Sequence, residues 1–119
     1  MNYTMNKICT DIEQSKKLLE LGIDPQTADM IYYWFGSFEL NDEWHELHLG
    51  TNRVNDKDIL AWSFTALLSI LPKGTRLLKS ATDDTYHCDC PKGNIDKWFD
   101  NPVDAAFEMV CWLLENKKL

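Results

Sequence analysis

Residues 100–119, DNPVDAAFEMVCWLLENKKL, decide the fold, because they read as one amphipathic helix. Asn101 is a good N-cap, Pro102 suits the first helical position, and Asp104 stands where it can return a hydrogen bond and meet the positive helix end. Val103, Ala106, Phe107, Val110, Leu113 and Leu114 recur at helical spacing and make a broad apolar stripe. Lys117 and Lys118 are expected to close the last turn, where cations are favoured. The rest of the chain is then expected to cover that stripe.

A chain of 119 residues fits one domain, residues 1–119, large enough to build a core without staples. Its apolar content of 45% argues against disorder. No apolar run approaches the roughly 20 residues needed to span a bilayer. The opening MNYTMNKICTDIEQ has no hydrophobic signal-peptide core, so a cytoplasmic location is the expectation and membrane association is not. The formal net charge is −7, and the basic residues are scattered. That balance speaks against general nucleic-acid binding, which needs a concentrated basic face. The four cysteines, Cys9, Cys88, Cys90 and Cys111, are expected as free thiols.

Working back from the last helix, Pro91-Lys92-Gly93 is a turn and Ile95–Phe99 reads as a short edge strand. Thr75–Ser80 and Thr85–Cys90 read as an antiparallel pair. Ile59–Leu71 has the pattern of a middle helix with Asp58 or Ser63 as its cap, ended by Pro72 and Gly74. Met30–Phe38 is an aromatic strand with a bend at Gly36, and the polar stretch after it holds a second strand near Trp44–Leu49. Thr10 with Glu13 resembles a capping box opening a first helix that Gly22 ends, and Asp24-Pro25 restarts a single turn. This order of elements points to α+β: a small antiparallel sheet of about 3–5 strands, about three helices on one face, and the C-terminal helix central.

The segments KICTDIEQSKKLLELGIDPQTADM, AWSFTALLSILP and DNPVDAAFEMVCWLLEN, in that order, resemble a group of short uncharacterised proteins of anaerobic gut bacteria, their phages and integrated elements. The resemblance covers both ends and the middle segment; the stretch from Trp34 to Asn55 is individual. It implies an accessory protein of mobile-element origin and supplies no catalytic residues.

Among residues that could carry chemistry, His87-Cys88-Asp89-Cys90 is the sharpest metal candidate, since thiolate and imidazole are zinc ligands and Cys88 and Cys90 share a strand face. Its spacing is tighter than that of the usual zinc knuckle, so two small buried thiols are the competing reading and no metal or other cofactor is expected. His45 and His48, with carboxylates around them, could meet on one helical turn and bind a metal; a solvated polar loop or hairpin competes and is favoured. Cys111 lies on the line Asp104, Glu108, Cys111, Glu115 of the last helix, and neighbouring carboxylates disfavour a thiolate. Ser63, Thr65 and Ser69 lack a nucleophile-elbow context, and no phosphate-binding glycine motif occurs.

Aromatic residues remain. Trp62 and Trp112 lie beside apolar stripes and are assigned to the core. Tyr33, Trp34, Trp44, Tyr86 and Trp98, with Arg76, are the candidate binding residues for a partner's side chain or a stacked base. Three functions follow from this reading. The first is an acidic interaction module that binds a protein, as an accessory or inhibitor. The second is a small-molecule or nucleotide sequestering protein, in which aromatics meet some of Arg53, Arg76, Lys79 and Lys97. The third is a metal-dependent hydrolase built on His45, His48, His87 and Cys88. A homodimer through a sheet face left open by the helices is compatible with each.

Overall fold

The computed structural model describes residues 7–37 and 42–119. Along the chain these form helix α1 (Ile12–Glu20), a 3-10 turn at Pro25–Thr27, and strands β1 (Met30–Ser37), β2 (Asp42–Leu49) and β3 (Ile59–Ala61). Helix α2 (Phe64–Ile70), strands β4 (Arg76–Lys79) and β5 (Tyr86–Asp89), and helix α3 (Pro102–Glu115) follow. The architecture is α+β, with the strands divided between two antiparallel sheets, β2-β1-β3 and β4-β5. Phe38, expected in the first strand, lies outside the described residues.

Helix α3 is central. Asn101 caps it by accepting the Asp104 N–H at 2.8 Å, and Pro102 occupies the first turn. Burial runs beyond the expected stripe: Ala105, Met109 and Cys111 are buried together with Val103, Ala106, Phe107, Val110 and Leu113. The cause is packing on more than one side, since α3 meets α2 as well as the β4–β5 pair. Gly93 lets the chain cross it closely; a Cβ there would come within 2.7 Å of the Met109 sulfur and 3.1 Å of the Trp112 ring.

The helix ends differently from expectation. Its last turn holds no cation; Lys117 instead takes a left-handed conformation at φ 55°. Lys117 N–H then bonds Leu114 O and Lys118 N–H bonds Leu113 O, a Schellman closure in which lysine stands where glycine is usual. Lys118 lies over the Trp112 ring at 5.2 Å.

Three other expectations are corrected. Ile59–Ala61 is a strand and not the first turn of the middle helix, because its residues find ladder partners in β1: Ile59 opposite Tyr32, Leu60 opposite Ile31, Ala61 opposite Met30. Ser63 then caps α2 by accepting the Ala66 N–H at 3.1 Å. Ile95–Phe99 is not a regular strand; one bridge, with reciprocal 2.7 Å bonds between Tyr86 and Phe99, fastens it to β5. The capping box of α1 belongs to Asp11 and Gln14, one residue on from Thr10 and Glu13.

Thr10 is displaced from the cap because it has another task. It is fully buried, its hydroxyl accepts the Trp62 N–H at 3.0 Å, and its own N–H bonds Trp62 O at 2.9 Å. Trp62, also fully buried, sends its indole N–H to Thr27 Oγ1 at 2.9 Å. Three segments that are distant in sequence, around Thr10, Thr27 and Trp62, thus meet at one tryptophan. A second junction joins the helix N-termini: the Asp104 carboxylate accepts Lys7 Nζ at 2.9 Å, Gln14 Nε2 at 2.8 Å and Asn101 Nδ2 at 2.8 Å. Burial alone would raise the Asp104 pKa, but these donors outweigh it and hold the carboxyl below its ordinary value.

Phe107 and Leu113 are 4% and 0% exposed. Phe107→Ala and Leu113→Ala are each expected to cost about 2–5 kcal/mol as core cavities. Urea unfolding of the two variants checks this, and near-wild-type midpoints would contradict the central place of α3.

Candidate functional site: the β1–β2 hairpin

Two faces of the hairpin follow from its register. Met30 opposes Leu49 and Phe35 opposes Trp44, so residues directly across from one another share a face. One face carries Ile31, Tyr33 and Phe35 from β1 with Asp42, Trp44, Glu46 and His48 from β2. The other carries Met30, Tyr32, Trp34 and Gly36 with Glu43, His45, Leu47 and Leu49. Strand alternation therefore separates His45 from His48, and the helical-turn pairing considered from sequence does not occur.

Strand β3 supports only the inner half of the hairpin. Its pairing with β1 covers Met30–Tyr32, where Ile31 is fully buried in the main core and Met30 packs with Cys9 and Ala61. Beyond Tyr32 the ladder ends, and one carboxylate takes its place. Asp58, 4% exposed, accepts the Trp34 N–H at 2.8 Å with one oxygen and the Val54 and Asn55 N–H groups at 2.9 and 2.8 Å with the other. The loop before β3 is thereby pinned to the edge of β1. Burial works to raise the Asp58 pKa; the three backbone donors, helped by Arg53, outweigh it and hold the carboxyl below its ordinary value.

On the outer half, the first face is aromatic and open to solvent. Phe35 and Trp44 stack with ring centres 5.7 Å apart and planes 14° apart, yet remain 39% and 50% exposed. Tyr33 and His48 meet edge to face at 5.1 Å on the same face, where Tyr33 reaches back to the main core. Trp44 Nε1 donates to Glu46 at 3.0 Å, which fixes the indole, and Glu46 stands 3.7 Å from His48. Neither strand contains a lysine or arginine.

The second face is organised around Trp34. Its indole lies over Gly36, where a Cβ would collide with the ring, and its N–H points to Glu43 at 3.3 Å. Lys57 covers the ring at 4.3 Å while the Lys57 carbonyl meets His45 Nε2 at 3.2 Å. An open depression of about 310 Å³ lies here, bordered also by Lys16 and Asp56. Its charges are mixed, and its one aromatic face already carries a cation.

The other candidate residues lie in the second sheet or in the segment that Phe99 fastens to it. Arg76 Nη2 is paired with Asp89 at 2.7 Å, Lys79 lies 5.8 Å over Tyr86, and Trp98 packs on His87 at 5.2 Å. Tyr33 and Trp44 therefore share a face, Trp34 lies on the reverse, and Tyr86, Trp98 and Arg76 stand elsewhere. Cys88 and Cys90 are buried, whereas His87 turns outward to the Lys97 carbonyl at 3.0 Å. Among the described residues, no three His, Cys, Asp or Glu groups are placed to hold a metal ion. Burial pushes the Cys88 thiol up to about 11, and neighbouring Cys90 and Asp89 add to it. Burial pushes Cys111 up to about 12, with Glu108 and Glu115 adding to the rise against an opposing Lys17. Such thiols stay protonated at neutral pH and are poor nucleophiles.

Two residues of the site are not singled out by the sequence. Phe35 was one aromatic in a run of them, and only its register with Trp44 singles it out. Asp58 has the residue type and position of a helix cap; the polar loop before it is the one signal that it binds loop amides. Comparison of the chain with protein-family models, curated proteins and solved structures finds no match in any of the three.

Because the folded Asp58 pKa lies below the unfolded one, its contribution is complete above about pH 3.9 and is lost as pH falls through the depressed value. Asp58→Asn is expected to cost about 2–4 kcal/mol at pH 7 through its buried charged hydrogen bonds. It should also flatten the fall of stability below about pH 4. Urea unfolding at pH 7 and pH 3 checks this; an equal loss at both would contradict the anionic role.

Proposed function

We propose that this protein is a small acidic interaction module that binds another protein through the outer, aromatic face of the β1–β2 hairpin, as an accessory or inhibitor protein. The observation that carries the reading is the Phe35–Trp44 stack. Two large aromatic side chains are held rigid by mutual stacking and by the Trp44–Glu46 bond, yet face solvent. A rigid, half-exposed aromatic pair gains a large buried area on association at little ordering cost, which is the usual character of an interface anchor. Asp42 and Glu46 flank it on the same face and favour a partner with basic groups at the rim.

The sequestering alternative has less support. The cations it needs are engaged separately: Arg53 with the Asp56 carbonyl, Arg76 with Asp89, Lys79 with Tyr86 and Lys97 with Phe99. The hydrolase alternative would need imidazoles and thiols to converge, and its candidates are distributed over two sheets and opposite strand faces.

A photo-crosslinking residue at position 44, introduced in the producing cell, tests the proposal against the same residue at position 78 on β4. A discrete protein adduct is expected at 44 and not at 78. With that partner purified, Trp44→Ala should weaken binding by roughly 10-fold or more while the melting temperature stays near wild type. No adduct at 44, or binding indifferent to Trp44, would overturn the reading.

A further inference from the structure

The three-stranded sheet has order β2-β1-β3, so β2 is an edge strand eight residues long. Which of its backbone groups face outward follows from two bonds. The Trp34 N–H points away from β2 to Asp58, and the Gly50 N–H bonds the Asp29 carbonyl across the hairpin. Antiparallel alternation then turns the N–H and C=O of Asp42, Trp44, Glu46 and His48 toward β1. It leaves those of Glu43, His45, Leu47 and Leu49 on the open edge. Among the described residues, none of these four N–H groups finds a hydrogen-bond acceptor.

Exposed edges of this length are ordinarily blunted by lysine, proline or a bulge. β2, DEWHELHL, has no lysine, proline or glycine, and its register with β1 runs unbroken over all eight residues. What it does carry is charge of one sign: Asp42, Glu43 and Glu46, without a lysine or arginine. A second copy of β2 added here would bring the same three carboxylates against these, and like charges across a ladder are destabilising. A basic strand would meet them with opposite charge. From this we infer that the open edge of β2 accepts an extended, basic segment of a partner protein as an added strand. The inference rests on the interaction reading above and specifies its mode: main-chain bonds to Glu43, His45, Leu47 and Leu49 hold the segment, the carboxylates select its charge, and the Phe35–Trp44 pair receives an apolar side chain.

The test uses the whole 119-residue chain, 15N-labelled, with three capped octapeptides. One alternates lysine and valine, one alternates glutamate and valine, and one is the lysine–valine peptide N-methylated at every amide, which leaves neither of its edges able to donate. The lysine–valine peptide is expected to perturb β2 and to slow exchange of the Glu43, His45, Leu47 and Leu49 amides by about tenfold or more, an effect reduced by salt. The other two should bind about tenfold more weakly or worse. Equal binding of acidic and basic peptides would overturn the inference. So would perturbation confined to another surface, or no perturbation at millimolar peptide. Concentration-dependent protection of the four amides without peptide would replace it with self-pairing. If peptides fail while a partner crosslinked at position 44 still depends on Trp44, strand addition fails and the interaction reading stands. If neither depends on the hairpin, both fail.

Discussion

One buried carboxylate decides where the core stops and the presented surface begins. Asp58 receives three backbone N–H groups, one from β1 and two from the loop that leads into β3. The Trp34 amide would otherwise lose its ladder partner at the point where β3 ends. An unpaired buried amide costs on the order of 1–3 kcal/mol, so something must supply an acceptor there. A carboxylate with two oxygens does so for three donors at once, and it fixes the loop in the same act. The consequence is a hairpin whose inner half is part of the core and whose outer half stands with one supporting strand. The aromatic pair sits on that outer half, held by its own contacts.

Behind the hairpin, the fold is closed by two further polar junctions set in an apolar surround. Trp62 is completely buried, yet its amide and indole N–H groups both find threonine oxygens, Thr10 and Thr27. Asp104 sits between the N-terminal ends of α1 and α3, where two positive helix ends and the Lys7 ammonium favour the anion. These junctions join segments far apart in sequence: residue 7 with 104, 10 with 62, 34 with 58. No buried side-chain N or O among the described residues is left without a hydrogen-bond partner. Satisfied polar groups of this kind specify one arrangement of a core that apolar packing alone would leave less defined.

Local signals carried most of the fold. The cap and proline at Asn101-Pro102, the helical stripe after them, the β4–β5 pair and the aromatic strand at Met30 all depend on chemistry within a few residues, and each forms where that chemistry places it. The misreadings occur where a distant partner decides. Ile59–Ala61 fits a helical pattern by itself, but β1 offers it a ladder. Thr10 is an acceptable cap by residue type, but the amide of Trp62, far along the chain, claims its hydroxyl, and Asp11, a stronger cap, serves instead. The site was less legible than the fold. Tyr33 and Trp44 were named from sequence, but that Phe35 opposes Trp44 and that Trp34 faces the other way are facts of register, which strand composition does not contain. The cysteine and histidine cluster illustrates the converse: strand alternation in β5 separates Cys88 from His87, and the packing of α3 against β5 decides which side is buried.

Amide hydrogen exchange of the free protein, resolved residue by residue, tests the place given to Asp58 most directly. The Trp34 amide lacks a strand partner, and its bond to Asp58 should nevertheless protect it to the level of Ile31 in the core, while the edge amides of Glu43, His45, Leu47 and Leu49 exchange close to freely. A Trp34 amide that exchanges as fast as those edge amides would contradict the account, because the hairpin would then have no fixed boundary with the core.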